Sequence, residues 1–173
     1  QSDPRDFNPD SVHGGGGFRA VRRLQDRAAE RYPTGMADEY KAPLPNPTPD
    51  SKPFWQGLKE HQLRIQRCRD CGDAYFYPRD VCPGCLSANV EWFTASGRGK
   101  LHTFSIVYRP LKYPPLQAPY VLAMIELEEG PRLMSNLVGV EADPAKIRCD
   151  MPVVIEYADV TAEVTLPRFR PAS

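Results

Sequence analysis

The sequence predicts a mostly β protein: N-terminal helices, then a rubredoxin-like zinc ribbon, then a small OB-fold β-barrel. Three observations predict it. Cys68, Cys71, Cys82 and Cys85 fall in a C-x2-C-x10-C-x2-C pattern. Beyond Val90 come five short runs rich in Val, Ile, Leu, Phe and Tyr, each bounded by turn residues. Most of the 19 prolines lie in connecting segments, so the regular elements are short.

Residues 1–35 read as an N-terminal arm, either a natural docking arm or a fusion remnant, since Met36 has the look of a natural start. His13-Gly14-Gly15-Gly16-Gly17 is a flexible hinge. It has the shape of an esterase oxyanion loop, but the chain holds no G-x-S-x-G to go with it. Phe18 to Tyr32 has helical spacing, with Val21, Leu24, Ala28 and Tyr32 on one face and five arginines on the others. Pro33 and Gly35 stop it. A free helix of that length is marginal in water, so it docks on something or frays.

Residues 36–65 form a proline-rich arm and a helix. Pro43, Pro45, Pro47, Pro49 and Pro53 favour an extended chain. The helix is expected over Phe54–Leu63, capped by Asp50 or Ser51, with Pro53 in its first turn. Phe54 and Trp55 either roof the ribbon or anchor a partner.

Residues 66–90 are the ribbon, with strands expected over Leu63–Arg67 and Tyr75–Tyr77. Each C-x2-C turn aims two thiolates inward, and a hairpin brings the pairs together around one tetrahedral ion. Gly72, and Pro83 with Gly84, allow backbone amides to turn toward sulfur. Arg67, Arg69 and Arg79 can offset the charge of four thiolates. Four ligands leave no place for a water, so the site reads as structural. Two disulfides are the alternative, disfavoured by the strain of two-residue loops and by the lack of a leader. Iron suits the same four thiolates, and spacing does not choose between the metals.

Residues 91–173 are the barrel and a C-terminal tail. Ser96-Gly97-Arg98-Gly99 marks a bend or bulge at a barrel corner. Strands are expected over Leu101–Arg109, Tyr120–Leu127, Arg132–Val138 and Val153–Tyr157, with a fifth over Val160–Leu166. Five short strands suit a closed OB barrel. The long loop from Tyr108 to Pro119 is of the kind that carries function or meets a partner.

Composition narrows the function. The chain has 22 basic and 22 acidic residues, which argues against general affinity for nucleic acid. No apolar run approaches the roughly 20 residues of a membrane span. Five cysteines without a leader suggest a reducing, cytoplasmic setting. Cys149, outside the metal pattern and between Ile147 and Met151, is expected to be a half-buried thiol. His13, His61 and His102 lie far apart with no catalytic motif around them. Glu126, Glu128 and Glu129 read as a strand end running into a solvated hairpin.

From Leu44 to Ala172 the chain resembles the zinc-ribbon/OB-fold family that accompanies acyl-CoA enzymes, the domain of unknown function numbered thirty-five. The shared pieces occur in order. They are Pro45 to Pro53 with Phe54-Trp55, Leu63-x-x-Gln66-x-Cys68-x-x-Cys71-Gly72, Pro78-Arg79 and Cys82-Pro83-x-Cys85. Glu91-Trp92, Ser96-Gly97-x-Gly99, Pro119-Tyr120-Val121 through Glu126-Leu127, Gly130, Leu133, Met151-Pro152-Val153 and Leu166-Pro167-x-Phe169-x-Pro171 follow. Asp150 departs from the family, which has glycine there. Asp tolerates a left-handed backbone better than most residues, so the turn should survive.

The resemblance implies a non-catalytic subunit. Its thiolase-like partner carries Claisen or retro-aldol chemistry on an acyl-CoA, as in steroid side-chain degradation, and the small chain stabilises or shapes the acyl-CoA site. The expected cofactor is structural Zn²⁺, and a CoA thioester is met at or near the partner interface. Expected partner contacts are Phe54, Trp55, Tyr108, Arg109 and Tyr113, and expected CoA contacts are Arg109, Lys112 and Arg132. Two other classes compete: single-stranded nucleic-acid binding through OB aromatics, and electron transfer by iron in the four-cysteine site.

Overall fold

The computed structural model describes Tyr40, residues 42–109 and residues 116–172. The glycine hinge and the helix expected over Phe18–Tyr32 lie outside these residues, as do Lys112 and Tyr113.

Helix α1 spans Lys52–Lys59, earlier and shorter than expected. Ser51 is its N-cap residue, but the hydroxyl turns back to the Thr48 carbonyl (3.3 Å) and accepts the Thr48 N–H (3.0 Å). The C-terminal end is a Schellman motif. His61 takes a left-handed φ of 55° and donates to the Leu58 carbonyl (2.9 Å), while Gln62 donates to Gly57 (2.8 Å). Histidine stands where glycine is usual, which hid this stop in the sequence. Its ring is held there by stacking on Tyr157 (5.0 Å between centroids) and by Nε2 at 3.1 Å from Asp159.

Strands β1 (Arg64–Cys68), β2 (Ala74–Tyr75) and β3 (Val90–Thr94) form an antiparallel sheet in the order β2-β1-β3. By its pairing β3 belongs to the ribbon sheet, so a division between residues 90 and 91 falls inside that strand. Phe54 and Leu58 of α1 pack with Leu63 and Ile65 in the main core, which continues into the barrel. Ribbon and barrel therefore share one apolar interior.

The barrel is closed in the order β4-β5-β6-β8-β7. Its strands are β4 (Arg98–Val107), β5 (Tyr120–Leu127), β6 (Arg132–Leu137), β7 (Pro152–Asp159) and β8 (Thr165–Pro171). The parallel β6–β8 pair and the antiparallel remainder are the OB arrangement expected from the sequence. The fifth strand does not run over Val160–Leu166. Residues 160–164 make the turn, closed by the Val160 N–H on the Val164 carbonyl (3.0 Å). Thr165–Pro171, beginning where the expected fifth strand was to end and running into the segment read as a C-terminal tail, is the strand itself. The short β6–β8 ladder, two residue pairs long, leaves Pro167 outside it.

Barrel closure rests on Gly97 and Gly99, as the glycine pattern suggested. Gly99 pairs with Leu127 on one side and Val153 on the other. A Cβ there would sit 2.4 Å from the Glu126 carbonyl oxygen. Gly97 has a φ of 72°, and a Cβ would meet Ile155 Cγ2 at 2.4 Å. Phe169, Leu101, Ile125, Val121 and Val153 fill the interior. Asp150 holds the left-handed turn foreseen for it, with φ 62°. Cys149 is exposed, not half-buried; Ile147 takes the buried position of that loop.

Candidate metal centre

The four sulfurs of Cys68, Cys71, Cys82 and Cys85 all lie within 4.8 Å of one another. Cys68 Sγ is 3.5 Å from Cys85 Sγ, and Cys71 Sγ is 3.6 Å from Cys82 Sγ. A tetrahedral Zn–S bond of about 2.3 Å places sulfurs about 3.8 Å apart, while a disulfide needs about 2.05 Å. The donor set fits a four-thiolate ion, and the cysteines are not paired as disulfides.

Two matching turns build the cage. Cys68 ends β1, and its N–H donates to the Asp73 carbonyl (2.9 Å) while Gly72 donates back to the Cys68 carbonyl (2.9 Å). Cys82 donates to Ser87 and Leu86 donates to Cys82, again at 2.9 Å each. Gly84 N–H faces Cys82 Sγ at 3.4 Å. The first cysteine of each pair is buried and the second exposed. Asp70 ties the two turns together, accepting from Ser87 Oγ (2.5 Å) and Asn89 Nδ2 (2.7 Å). These two bonds hold its carboxyl below the usual carboxylate range, Ser87 contributing most.

The electrostatics ask for a cation. The Cys71 backbone N–H is the largest of the influences that bring the Cys68 thiol down to about 7. At Cys71 the Asp73 N–H pulls the thiol down, yet desolvation among the neighbouring sulfurs and those sulfurs themselves push it up to about 12. Four sulfurs this close do not ionise together unless a positive charge sits among them. Two of the three arginines expected near sulfur are engaged elsewhere. Arg67 lies 4.2 Å over the Phe93 ring, and Arg69 pairs with Glu91 at 2.9 Å. Backbone amides do the work assigned to them.

The remaining expected site residues are scattered. Phe54 is 2 % exposed, with its ring against Trp55 (5.0 Å) and Phe76 (5.2 Å), so it is a core residue and not a partner contact. Trp55 is half-buried beside it. Tyr108 and Arg109 follow β4, the first half-buried and the second exposed. Arg132 is bound to Glu126 (2.8 Å), which also meets Lys100 (3.2 Å) and His102 (3.8 Å). Arg132 sits beside the Glu126 end of β5 and Arg109 beyond the Tyr120 end, roughly 20 Å away at strand rise, so one phosphate cannot engage both. Sequence reasoning missed Leu86, which bears a φ of 62° and is 76 % exposed at the metal end. The Cys82-x-x-Cys85-Leu86 spacing, set against Cys68-x-x-Cys71-Gly72, was the available signal.

Among the described residues no helix is long and apolar enough to cross a membrane.

Comparison with known proteins agrees with this architecture. Residues 55–91 match the rubredoxin-like zinc ribbon domain of ChsH2, and residues 92–158 match its C-terminal OB-fold domain. The chain is 35 % identical over 151 residues to a probable enoyl-CoA hydratase alpha subunit of Thermomonospora curvata, covering 87 % of this chain and 46 % of that one. It is 31 % identical over 127 residues to the benzoylsuccinyl-CoA thiolase subunit BbsA of Thauera aromatica, covering 67 % of this chain and 85 % of that one. The solved Ltp2-ChsH2(DUF35) aldolase contains a chain that superposes with a TM-score of 0.68 at 37 % identity, covering 75 % of this chain and all of that one. The chain spans less than half the length of the hydratase subunits it matches. With both domains matched in order around a four-cysteine cage, the chain belongs to the ChsH2/DUF35 family of zinc-ribbon/OB-fold proteins.

Proposed function

We propose that this chain is a non-catalytic subunit of a thiolase-like acyl-CoA enzyme, built around a structural zinc ion, which stabilises or shapes the acyl-CoA site of its partner. The observation that carries the reading is the match, over 75 % of this chain and all of the other, to a chain of the Ltp2-ChsH2(DUF35) aldolase. The similarity to a benzoylsuccinyl-CoA thiolase subunit supports it from a second enzyme.

The chemistry of the described residues agrees. Their one cluster of three or more potential metal ligands is the four-cysteine set, which leaves no ligand position for substrate. His61 and His102 face Asp159 and Glu126 in ordinary surface pairs. The β5–β6 face, which OB proteins use for single strands, carries Tyr120, Leu122, Met124 and Glu126 on β5 and Arg132, Met134 and Asn136 on β6; one tyrosine and one arginine already bound to Glu126 fall short of the several stacking aromatics and basic groove such binding uses.

On this reading the partner meets Trp55, Tyr108, Arg109 and Tyr113, while Arg109 and Lys112 attract CoA phosphates. Arg132 serves Glu126 instead. The test is a titration of the partner enzyme with this chain while carbon–carbon bond cleavage or formation is followed. Activity should rise with the chain and saturate at a fixed ratio, and the chain alone should turn over nothing. Turnover by the chain alone, or no effect on the partner, sinks the reading.

A further inference from the structure

Two sulfur–sulfur contacts in the cage run between the turns. Cys68 Sγ lies 3.5 Å from Cys85 Sγ, and Cys71 Sγ lies 3.6 Å from Cys82 Sγ. Each contact joins a buried cysteine, Cys68 or Cys82, to an exposed one, Cys85 or Cys71. The residues after the exposed cysteines give them little cover. A Cβ on Gly72 would meet nothing within 4 Å, and Leu86 is 76 % exposed.

The two turns are also clamped by bonds that do not involve sulfur. Asp70 of the first turn accepts from Ser87 Oγ (2.5 Å) and Asn89 Nδ2 (2.7 Å), which follow the second turn. The Arg69 N–H donates to the Asn89 carbonyl (2.9 Å). The sulfurs can therefore change partners while the turns stay face to face. An accessible thiolate beside a second one is the arrangement in which oxidation ends as a disulfide. The first sulfur meets the oxidant, and the second resolves the sulfenic acid. Closing either contact shortens it to about 2.05 Å.

We propose that the four-cysteine cage is a peroxide-responsive switch, in which hydrogen peroxide converts the zinc-bound thiolates into the disulfides Cys68–Cys85 and Cys71–Cys82. The switch rests on the structural zinc proposed above. At each contact the exposed thiolate attacks one peroxide oxygen. The O–O bond breaks, the cysteine becomes a sulfenic acid, and hydroxide leaves and takes up a proton as water. The buried thiolate then attacks that sulfur, the S–O bond breaks, and a second hydroxide leaves and is protonated. Each contact gives two electrons to one peroxide, so the cage consumes two peroxides. Zn²⁺ departs as its ligands are spent, and the two cross-links hold the turns where the ion did. A dithiol reduces each disulfide to two thiols, and the cage can reload.

Metal analysis of the reduced full chain comes first and should give about one zinc ion per chain. A chain without zinc removes the metal centre and the switch together. Graded hydrogen peroxide is then added, with Cys149, exposed and outside the cage, as the marker of dose. Zinc, read with a colorimetric chelator, should leave at no higher dose than oxidises Cys149. Trypsin digestion without reductant should give one species joining residues 68–69, 70–79 and 80–98. Fragmentation of that species should place Cys68 on Cys85 and Cys71 on Cys82. Dithiothreitol followed by zinc should restore the starting metal content. Hydrogen exchange should show the oxidised ribbon keeping amide protection over residues 66–90 that the chelated chain loses. Zinc retained once Cys149 is fully oxidised overturns the switch and leaves the metal centre standing. Recovery of residues 80–98 alone with a Cys82–Cys85 disulfide overturns it as well, as does metal content that reductant fails to restore. Protection lost as fully as in the chelated chain would show that the cross-links do not replace the ion, and overturns it too.

Discussion

Gly72 and Leu86 hold the same place in two copies of one turn. Each follows the second cysteine of its pair, with φ of 82° and 62°, and each donates its N–H to the carbonyl of the first cysteine at 2.9 Å. Glycine takes that backbone freely, whereas leucine does so at a cost of about 1–2 kcal/mol. Nothing in the described residues offsets the cost, since the Leu86 side chain is 76 % exposed. Leu86→Gly should raise the stability of the zinc-loaded chain by about 0.5–1 kcal/mol, and Gly72→Ala should lower it by about 1 kcal/mol. Urea midpoints at fixed zinc check both, and a destabilising Leu86→Gly would show that the side chain is packed in the native state.

Metal removal should act unevenly. The metal end of the ribbon has only a small apolar cluster of Cys68, Tyr75 and Cys82 with Val90 against it, while the barrel is filled by the large core that it shares with α1 and the start of β1. Chelation should release amide protection over residues 66–90 and leave β5 and β7 protected. Hydrogen exchange with and without chelator reads this directly. Uniform loss across the chain would mean that the barrel depends on the metal.

Barrel closure predicts a difference in rescue. Gly97→Ala and Gly99→Ala should each cost about 1–3 kcal/mol or more by overpacking. Ile155→Ala removes the methyl that opposes Gly97 and should recover part of the first loss. It should recover none of the second, because the obstacle at Gly99 is the Glu126 backbone. Thermal melts of the single and double variants decide it.

The His61–Asp159–Thr165 cluster predicts a pH dependence. Thr165 Oγ1 donates to Asp159 at 2.5 Å and His61 adds a second partner, which together hold the carboxyl below its usual range, Thr165 foremost. A depressed carboxyl pKa stabilises the fold above its unfolded value of about 3.9, and that contribution is lost as pH falls through the folded value. The stability gap between the parent chain and Asp159→Asn should therefore shrink as pH falls below about 4. A gap that widens in acid contradicts this assignment.

Phe54 and Trp55 should separate cleanly. Phe54→Ala removes a core ring and should cost about 3–5 kcal/mol. Trp55→Ala should weaken partner binding while zinc content stays the same. Equal loss of binding and zinc in Trp55→Ala would make Trp55 a core residue like its neighbour.

The metal centre was legible because cysteine spacing alone defines a cage, and β5 because its run of apolar residues is bounded by Tyr120 and a tight Glu128-Glu129-Gly130 turn. The fifth strand was not, because Pro167 and Pro171 argue against a strand unless the short β6–β8 ladder is known. The end of α1 was hidden by His61 in a position that glycine usually marks. Phe54 and Trp55 looked alike in sequence, and only the packing of Phe76 against one ring tells core from surface. Arg109 and Arg132 were both candidates for CoA phosphates, and strand register puts them at opposite ends of the sheet.

The central claim is that the chain serves a thiolase-like enzyme, and the most direct measurement is capture of the tagged chain from extract of its source cells. Co-purifying proteins are identified and quantified by mass spectrometry, and the eluate is assayed on acyl-CoA substrates with and without the chain. The account predicts a stoichiometric thiolase-like protein whose activity drops at least tenfold when the chain is withdrawn. Capture of nucleic acid or ribonucleoprotein in its place, or acyl-CoA turnover by the chain alone, would contradict it.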